Sequence, residues 1–190
     1  METTPQRIDA ASNRAATSRL MQAMRERDYG TIAGVLAPDV VIHSPITDSF
    51  QLHGRDDALA VLKIVREAME GLEHRELVGA DDVWTQRFRA RVRGRHVDGM
   101  DLLRFDEEGR VRELTVFIRP LPGLAAFAAA LASGVGRRRG LLTTIALRLL
   151  IEPLAVITRH GDRLVGWLLR GTWGSGGPAG SSGSGSRIGG

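Results

Sequence analysis

The stretch WTQRFRARVRGRHVDGMDLLRFDEEGRVRELTVFI, residues 84–118, decides the fold because its polar and apolar side chains alternate with a period of two. The first nine residues alternate most regularly, with a threonine or an arginine at every second position. Gly94 and the acidic turn Glu107–Gly109 interrupt the alternation, and the prolines at positions 120 and 122 end it. The stretch therefore predicts three consecutive antiparallel strands, over residues 84–92, 97–105 and 111–118.

The residues before this stretch carry apolar side chains at helical spacing. Leu20, Met21 and Met24 share one helical face, and Asp28 suits the N-cap of a second, shorter helix. A β-branched run at residues 40–42 predicts a strand that Pro45 ends. The pattern predicts helices over residues 12–27, 28–36 and 54–70, and a loop over residues 45–52. Helices followed by consecutive strands predict an α+β fold rather than a parallel βαβ arrangement.

Four regions follow from changes in composition along the chain. Residues 1–11 are polar and lack the apolar run of a secretory signal, so they predict a disordered N-terminus. Residues 12–133 predict one domain whose last element is an alanine-rich helix over residues 124–132. Residues 134–173 predict a basic, apolar helical extension, and residues 174–190 predict a flexible tail of glycine and serine.

Composition excludes several kinds of site. The chain of 190 residues has no cysteine, which excludes disulfides, zinc–thiolate sites, iron–sulfur clusters and cysteine nucleophiles. The five histidines lack the spacing of a metal site, so we expect no metal and no other cofactor. Five arginines at alternate positions from 87 to 95 belong to the solvated face of a strand, without interleaved aromatic residues. We therefore expect no nucleic-acid partner.

The positive net charge of +4 belongs to the C-terminal extension. Residues 134–173 carry seven arginines against two acids, and the helix expected there is apolar on nearly every face. Three roles are open: the segment packs on the main domain, it is buried in a dimer, or residues 137–170 contact an anionic membrane surface peripherally. Because no run of 18 uncharged apolar residues exists, we expect no spanning helix. We predict a cytoplasmic protein, with peripheral contact at the inner membrane face as the alternative.

Two parts of the sequence resemble a known family. One is APDVVIHSP, residues 37–45, followed by HGRDDA, residues 53–58; the other is DLLRFDEEGRV, residues 101–111. Both are similar to segments of the ketosteroid isomerases and of their SnoaL-like polyketide cyclase relatives, which share the nuclear transport factor 2-like cone fold. The resemblance covers residues 12–133, and it implies N-terminal helices packed on a curved, mostly antiparallel sheet. This fold hosts many functions, so an activity has to be argued from the site.

The resemblance assigns three positions of this chain to the isomerase site. Asp101 stands where the isomerases carry a protonated aspartic acid, Ser44 where they carry the base, and Leu20 roughly where they carry a tyrosine. A serine without a base of its own does not take a proton at neutral pH, and a leucine donates no hydrogen bond. The resemblance therefore implies that the acid is retained, whereas the usual base and tyrosine are absent.

The residues themselves also single out Asp101. It shares a strand face with Leu103 and Phe105, which is an unusual place for a charge. Burial there disfavours the ionised form, so we expect a raised pKa for this carboxyl group. The alternative is a structural acid that arginine or backbone donors satisfy. His43 is the candidate base because its ordinary pKa is near neutrality, although strict alternation turns it away from the face of Ser44.

An apolar pocket is predicted on the inward face of the strands. Its expected lining is Ile42, Trp84, Phe88, Leu103, Leu114, Val116 and Ile118. These side chains line a pocket for a flat apolar ligand, or they fill the core and leave no pocket. If Trp84 is buried, its indole N–H requires a hydrogen-bond partner.

These observations lead to the hypothesis that the domain binds a hydrophobic small molecule. One alternative is an isomerase- or cyclase-type enzyme that acts on a carbonyl compound through Asp101, with Ser44 and His43 assisting. The other is a non-catalytic module for dimerisation or protein interaction. Cone-fold relatives often dimerise through the outer sheet face, where Met100 and Leu102 are expected, so we predict a homodimer. An open pocket with Asp101 beside Ser44 favours the small-molecule hypotheses over the interaction module.

Overall fold

The computed structural model describes residues 10–47 and 51–139, and it describes side chains as far as residue 134. Four helices and six strands follow one another along these residues. They are α1 (Ala10–Glu26), α2 (Tyr29–Val35), β1 (Leu36–His43), β2 (Gln51–His53), α3 (Arg55–Ala68), β3 (Glu70–Ala80), β4 (Val83–Val92), β5 (Arg95–Phe105), β6 (Val111–Arg119) and α4 (Leu121–Arg139).

The described strands form one curved sheet in the order β2-β1-β6-β5-β4-β3. Strands β3 to β6 are a meander of antiparallel neighbours, whereas β1 runs parallel to β6 and antiparallel to β2. Helices pack on this sheet, so the predicted α+β cone fold is confirmed. The register places Asp101 of β5 between Gln86 of β4 and Val116 of β6.

Two apolar clusters join the helices to the sheet. The first contains Leu20 of α1, Ile32 of α2 and Leu62 of α3, which pack with Leu103 and Phe105 of β5 and with further strand residues. The second contains residues of β3 to β5 and of α4, namely Leu72, Phe88, Val92, Val97, Ala126 and Phe127. The helices therefore cover one face of the sheet, and β4 and β5 contribute to both clusters.

Local interactions explain where the helices begin and how α3 is held. Asp28 caps α2 as predicted, because its carboxylate accepts hydrogen bonds from the Thr31 amide at 3.0 Å and from the Thr31 hydroxyl at 2.6 Å. At the start of α3, the Arg55 guanidinium donates to the Leu36 carbonyl at 2.6 and 3.0 Å. At its end, Arg66 donates to the carbonyls of Met24 and Met69. Charged donors thus tie α3 to β1 and to α1.

The structure differs from the sequence-based element bounds at several places, and strand β1, for example, begins at Leu36 rather than at residue 40. Helix α1 begins at Ala10 rather than at residue 12, and the short strand β2 lies in a segment predicted as a loop. Strand β2 exists because it pairs with β1, with Leu52 opposite Ile42, and a single sequence does not reveal such an edge pairing. Helix α4 starts at Leu121 and continues to Arg139, across the boundary expected after residue 133.

Several sequence-based predictions lie outside the described residues. They are the disorder expected for residues 1–9 and 174–190, and the extension from residue 140 to residue 173, with its predicted membrane contact. Within residues 10–47 and 51–139, no helix has both the length and the apolar character that a membrane crossing requires.

Helix α4 approaches the sheet closely at Gly123, and this contact provides a test of the packing. A Cβ atom at this position would lie 2.4 Å from the His96 carbonyl oxygen, which is a backbone atom that cannot turn aside. We expect Gly123→Ala to lower the free energy of unfolding by about 1–3 kcal/mol. Gly34→Ala is the matched control, because it adds the same methyl group to α2 with nothing within 4 Å.

Chemical denaturation of both variants is the measurement. The control should stay within about 1 kcal/mol of the parent protein or gain stability, since alanine is the better helix former. Equal losses in the two variants would contradict the close packing of α4 on β5.

Candidate functional site

A cavity of about 730 Å³ lies between the sheet and the helices. Residues of α1, α3 and α4 and of all six described strands line it, and α3 contributes the largest share of the wall. Its apolar wall includes Ile42, Leu62, Ile64, Met69, Phe88, Leu114, Val116 and Phe127. This volume falls in the range of small-molecule sites, which combine apolar walls with a few polar groups.

Asp101 lines this cavity near the middle of β5. Gln86, its neighbour on β4, donates a hydrogen bond from Nε2 to Asp101 Oδ2 at 2.8 Å. Burial raises the pKa of the Asp101 carboxyl to about 7, and the hydrogen bond from Gln86 opposes the shift only in part. At neutral pH this group is therefore divided between a carboxylic acid, which donates a hydrogen bond, and a carboxylate, which accepts one.

Gln86 is a site residue that the sequence reasoning did not identify. Its side chain is 2% exposed and lines the cavity, with its amide nitrogen directed to Asp101. The amide oxygen Oε1 has no hydrogen-bond partner among the described residues. The sequence does contain an indication of this role. Gln86 is a polar residue on the inward, otherwise apolar face of the alternating strand, between Trp84 and Phe88.

Ser44 lines the same cavity, just after the end of β1. Its Oγ atom accepts a hydrogen bond from the Ile46 amide at 3.2 Å, which fixes the turn into the following loop. The structure thus brings Ser44 and Asp101 into one cavity. It gives Ser44 no basic side chain as a partner among the described contacts.

His43 lies outside this cavity. Its Nε2 atom is 3.2 Å from Glu113 Oε1, and both residues line a separate surface depression together with Thr115 and Phe117. Alternation along β1 explains this position, since successive side chains point to opposite faces of the sheet. The structure does not bring His43 together with Asp101, so the geometry does not support His43 as a base at this site.

Four of the seven expected pocket residues line the cavity, namely Ile42, Phe88, Leu114 and Val116. The other three do not: Leu103 is fully buried in the first cluster, Trp84 is buried there too, and Ile118 packs against the second cluster. Trp84 Nε1 donates to the Asp81 carbonyl at 3.2 Å, the partner that its burial requires. Alternation predicts the inward face correctly, but the helices above decide which part of that face stays open.

Leu20, at the position that corresponds to the isomerase tyrosine, lies in the first apolar cluster and does not line the cavity. His74 of β3 does line it, and sequence reasoning did not place it there. Burial, with Arg25 and Arg66 nearby, lowers the pKa of His74 to about 4, so its imidazole is neutral at pH 7. In the part of the chain that the structure describes, no group of three histidine or acidic side chains is arranged to hold a metal ion.

A comparison with protein families decides the classification. Residues 17–114, just over half of the chain, match the model of the SnoaL-like domain. The chain belongs to the SnoaL-like family. The resemblance seen in the sequence is thereby confirmed, and the match includes β1, the start of β6 and every strand between them.

Solved structures share the fold of this SnoaL-like domain. A steroid delta-isomerase from Pseudomonas aeruginosa is 24% identical, with a TM-score of 0.64 over 68% of this chain and 95% of its own. An uncharacterised protein with a cystatin-like fold from Silicibacter pomeroyi DSS-3 is 23% identical, with a TM-score of 0.59 over 78% and 96% of the two chains. An NTF-2-like protein of unknown function from Burkholderia xenovorans LB400 is 19% identical, with a TM-score of 0.52 over 57% and 83%. No curated protein matches this chain.

The raised pKa of Asp101 predicts how stability changes with pH. Because the folded protein holds this proton more tightly than the unfolded chain, the contribution of Asp101 is largest below the unfolded pKa near 4 and is lost as pH rises through about 7. Asp101→Asn removes this titration. Relative to the variant, the parent protein should lose up to about 1.4 kcal/mol of stability per pH unit across this interval.

Urea denaturation at a series of pH values measures this difference. Asp98→Asn is the control, because Asp98 lies on the same strand beside Arg87, which lowers the pKa of its carboxyl. Its contribution should instead be lost as the pH falls toward that lowered pKa. A parent-minus-D101N difference that stays flat from pH 4 to pH 7 would rule out the raised pKa of Asp101.

Proposed function

We propose that this SnoaL-like domain binds a hydrophobic small molecule in its cavity, with Asp101 as a polar contact. The observation that carries the proposal is an apolar cavity of about 730 Å³ with a carboxyl group of pKa about 7 in its wall. An apolar ligand gains affinity by removing its own surface and that of the wall from water. Asp101 in its acid form then donates a hydrogen bond to an oxygen atom of the ligand.

The comparison with the Pseudomonas aeruginosa protein supports the same chemical class. That protein is described as a steroid delta-isomerase, and a steroid is a flat apolar molecule with oxygen atoms at its ends. The cavity wall of this chain offers a comparable combination, since aromatic and aliphatic side chains surround one carboxyl group. A ligand of this class satisfies both the apolar wall and Asp101.

A pair of variants on β6 tests the proposal. Val116 lines the cavity, whereas Thr115 precedes it on the opposite face of the strand. Val116→Phe places a ring into the cavity and should weaken the binding of a steroid that carries both a ketone and a hydroxyl group, such as testosterone, at least tenfold. Thr115→Phe adds a ring to the same strand but outside this cavity, and it should leave the affinity within about twofold.

Isothermal titration calorimetry with purified protein gives the dissociation constants. Circular dichroism confirms that both variants keep the fold. A parent protein that binds no apolar ligand, or a Val116→Phe variant that binds as tightly as the parent, would overturn the proposal.

An isomerase- or cyclase-type enzyme is the second candidate, and the position of Asp101 with Ser44 in one cavity favours it. In this role the protonated Asp101 donates to the carbonyl oxygen of the substrate and stabilises the enolate that forms when a base removes the α-proton. Ser44 has no basic partner among the described contacts and His43 lies elsewhere, so neither of these two residues serves as the base. His74, whose imidazole is neutral at pH 7, also lines the cavity.

Ultraviolet absorbance tests this enzymatic role directly, because isomerisation of a β,γ-unsaturated ketone produces a conjugated enone. If Asp101 acts as the acid, the rate should fall as the pH rises through about 7, and Asp101→Asn should slow it at least tenfold. Asp98→Asn should leave it unchanged. A rate equal to that without protein would leave the domain as a binding module.

We also propose that the outer face of the sheet forms a homodimer contact. Met100 of β5 and Phe117 of β6 are paired across the two strands, and they are 41% and 49% exposed. Leu102, predicted for this face, is partly buried two positions further along β5. Exposed apolar side chains that lie side by side are typical of interaction surfaces.

Analytical ultracentrifugation at tens of micromolar tests the homodimer. Phe117→Glu places a charge in the proposed contact and should shift the protein to monomer. Leu121→Glu is the control, because Leu121 is also exposed but begins α4 instead of lying on the sheet. A parent protein that sediments only as monomer would exclude this contact.

A further inference from the structure

Gln86 presents a buried hydrogen-bond acceptor that no described residue uses. Gln86 is only 2% exposed, and its Nε2 atom donates a hydrogen bond to Asp101 Oδ2 at 2.8 Å. The amide oxygen Oε1 has no partner within the described residues. A buried polar atom without a partner is unfavourable, so such atoms usually meet a ligand or an ordered water.

The surroundings of Gln86 are accessible to a ligand, and no described side chain donates a hydrogen bond to its Oε1 atom. Gln86 lines the cavity together with Phe88 and Val116, which have no donor in their side chains. Asp101 accepts a hydrogen bond from the Gln86 amide nitrogen, and Ser44 Oγ accepts one from the Ile46 backbone amide just after β1. An apolar cavity beside an unpaired acceptor is therefore suited to a ligand that brings a donor of its own.

We propose that Gln86 Oε1 accepts a hydrogen bond from the bound molecule, so that the cavity selects an apolar ligand that carries a hydroxyl group. This inference rests on the proposed small-molecule function and states which polar group the ligand presents. Gln86 is then a specificity-determining residue, and Asp101 is its partner at the same end of the ligand.

The chemistry of the two side chains explains the preference for a hydroxyl group. A hydroxyl oxygen accepts a hydrogen bond from the acid form of Asp101, and its proton is donated to Gln86 Oε1. A ketone or an ether oxygen accepts from Asp101 but has no proton to donate, so it leaves Gln86 Oε1 unpaired in a cavity now closed to water. Sites with such an unpaired polar group discriminate strongly against the ligand that cannot satisfy it.

Two naphthalene derivatives separate these possibilities. 2-Naphthol has a hydroxyl group, whereas 2-methoxynaphthalene has an ether oxygen on the same apolar body. Calorimetric titrations are done at about pH 5, where the carboxyl group of Asp101 is mostly protonated. The measured quantity is the ratio of the two dissociation constants for each protein variant. A change that affects the binding of both molecules equally leaves this ratio unchanged.

Gln86→Met removes the acceptor with little change in side-chain length. In the parent protein, 2-naphthol should bind more tightly than 2-methoxynaphthalene. In Gln86→Met we expect this preference, measured as the ratio of the two dissociation constants, to fall about tenfold. Phe88→Leu is the control, because it trims an apolar wall of the same strand. It should weaken the binding of both molecules and leave their ratio unchanged.

A measurement on the parent protein avoids any dependence on how Gln86→Met folds. The carbon-13 NMR signal of the Gln86 side-chain carbonyl should move further downfield when 2-naphthol binds than when 2-methoxynaphthalene binds, because only 2-naphthol donates a hydrogen bond to it. An unchanged ratio in Gln86→Met, or the same carbonyl signal with both molecules, overturns the role of Gln86 but leaves the small-molecule proposal intact. If the parent protein binds neither molecule, the proposed function and this inference both fail.

Discussion

The Asp101 carboxyl group inside an apolar cavity, held by one hydrogen bond from Gln86, is the feature on which the site depends. Water would stabilise its ionised form, but the surrounding side chains do not, so the pKa rises to about 7. Strands β4 and β6 hold Asp101 in register between Gln86 and Val116, and this pairing directs all three side chains to the face that the helices cover. Because the sheet holds Asp101 in this cavity, its carboxyl group donates or accepts hydrogen bonds near neutral pH.

The cavity is bordered by both apolar clusters. Leu62 and Leu114 belong to the first cluster, Met69 and Phe88 belong to the second, and all four line the cavity. Gly99 contributes on the sheet side, because a Cβ atom there would lie 2.2 Å from the Phe88 ring. The outer edge of the Phe88 ring therefore lies over Gly99, in the space that a side chain at position 99 would occupy.

Sequence patterns predicted the fold because alternation and turn residues are local signals. The strands from Trp84 to Ile118 and the cap at Asp28 follow from such signals. The cavity was predictable only in part. The inward face of the strands was predicted correctly, but Trp84 and Leu103 lie in the apolar cluster that also contains residues of α1 and α2. A single sequence does not reveal this packing. Gln86 was missed for a different reason, since its importance comes from its pairing across the sheet with Asp101, not from its residue type.

The titration of Asp101 itself tests this account most directly. Carbon-13 NMR of the side-chain carboxyl group follows its protonation without any substitution, and Asp98 on the same strand provides an internal reference. The account predicts a midpoint near pH 7 for Asp101 and one below the usual aspartate range for Asp98. A midpoint near pH 4 for Asp101 would show that water reaches its carboxyl group freely, and it would contradict the description of this cavity as an apolar binding site.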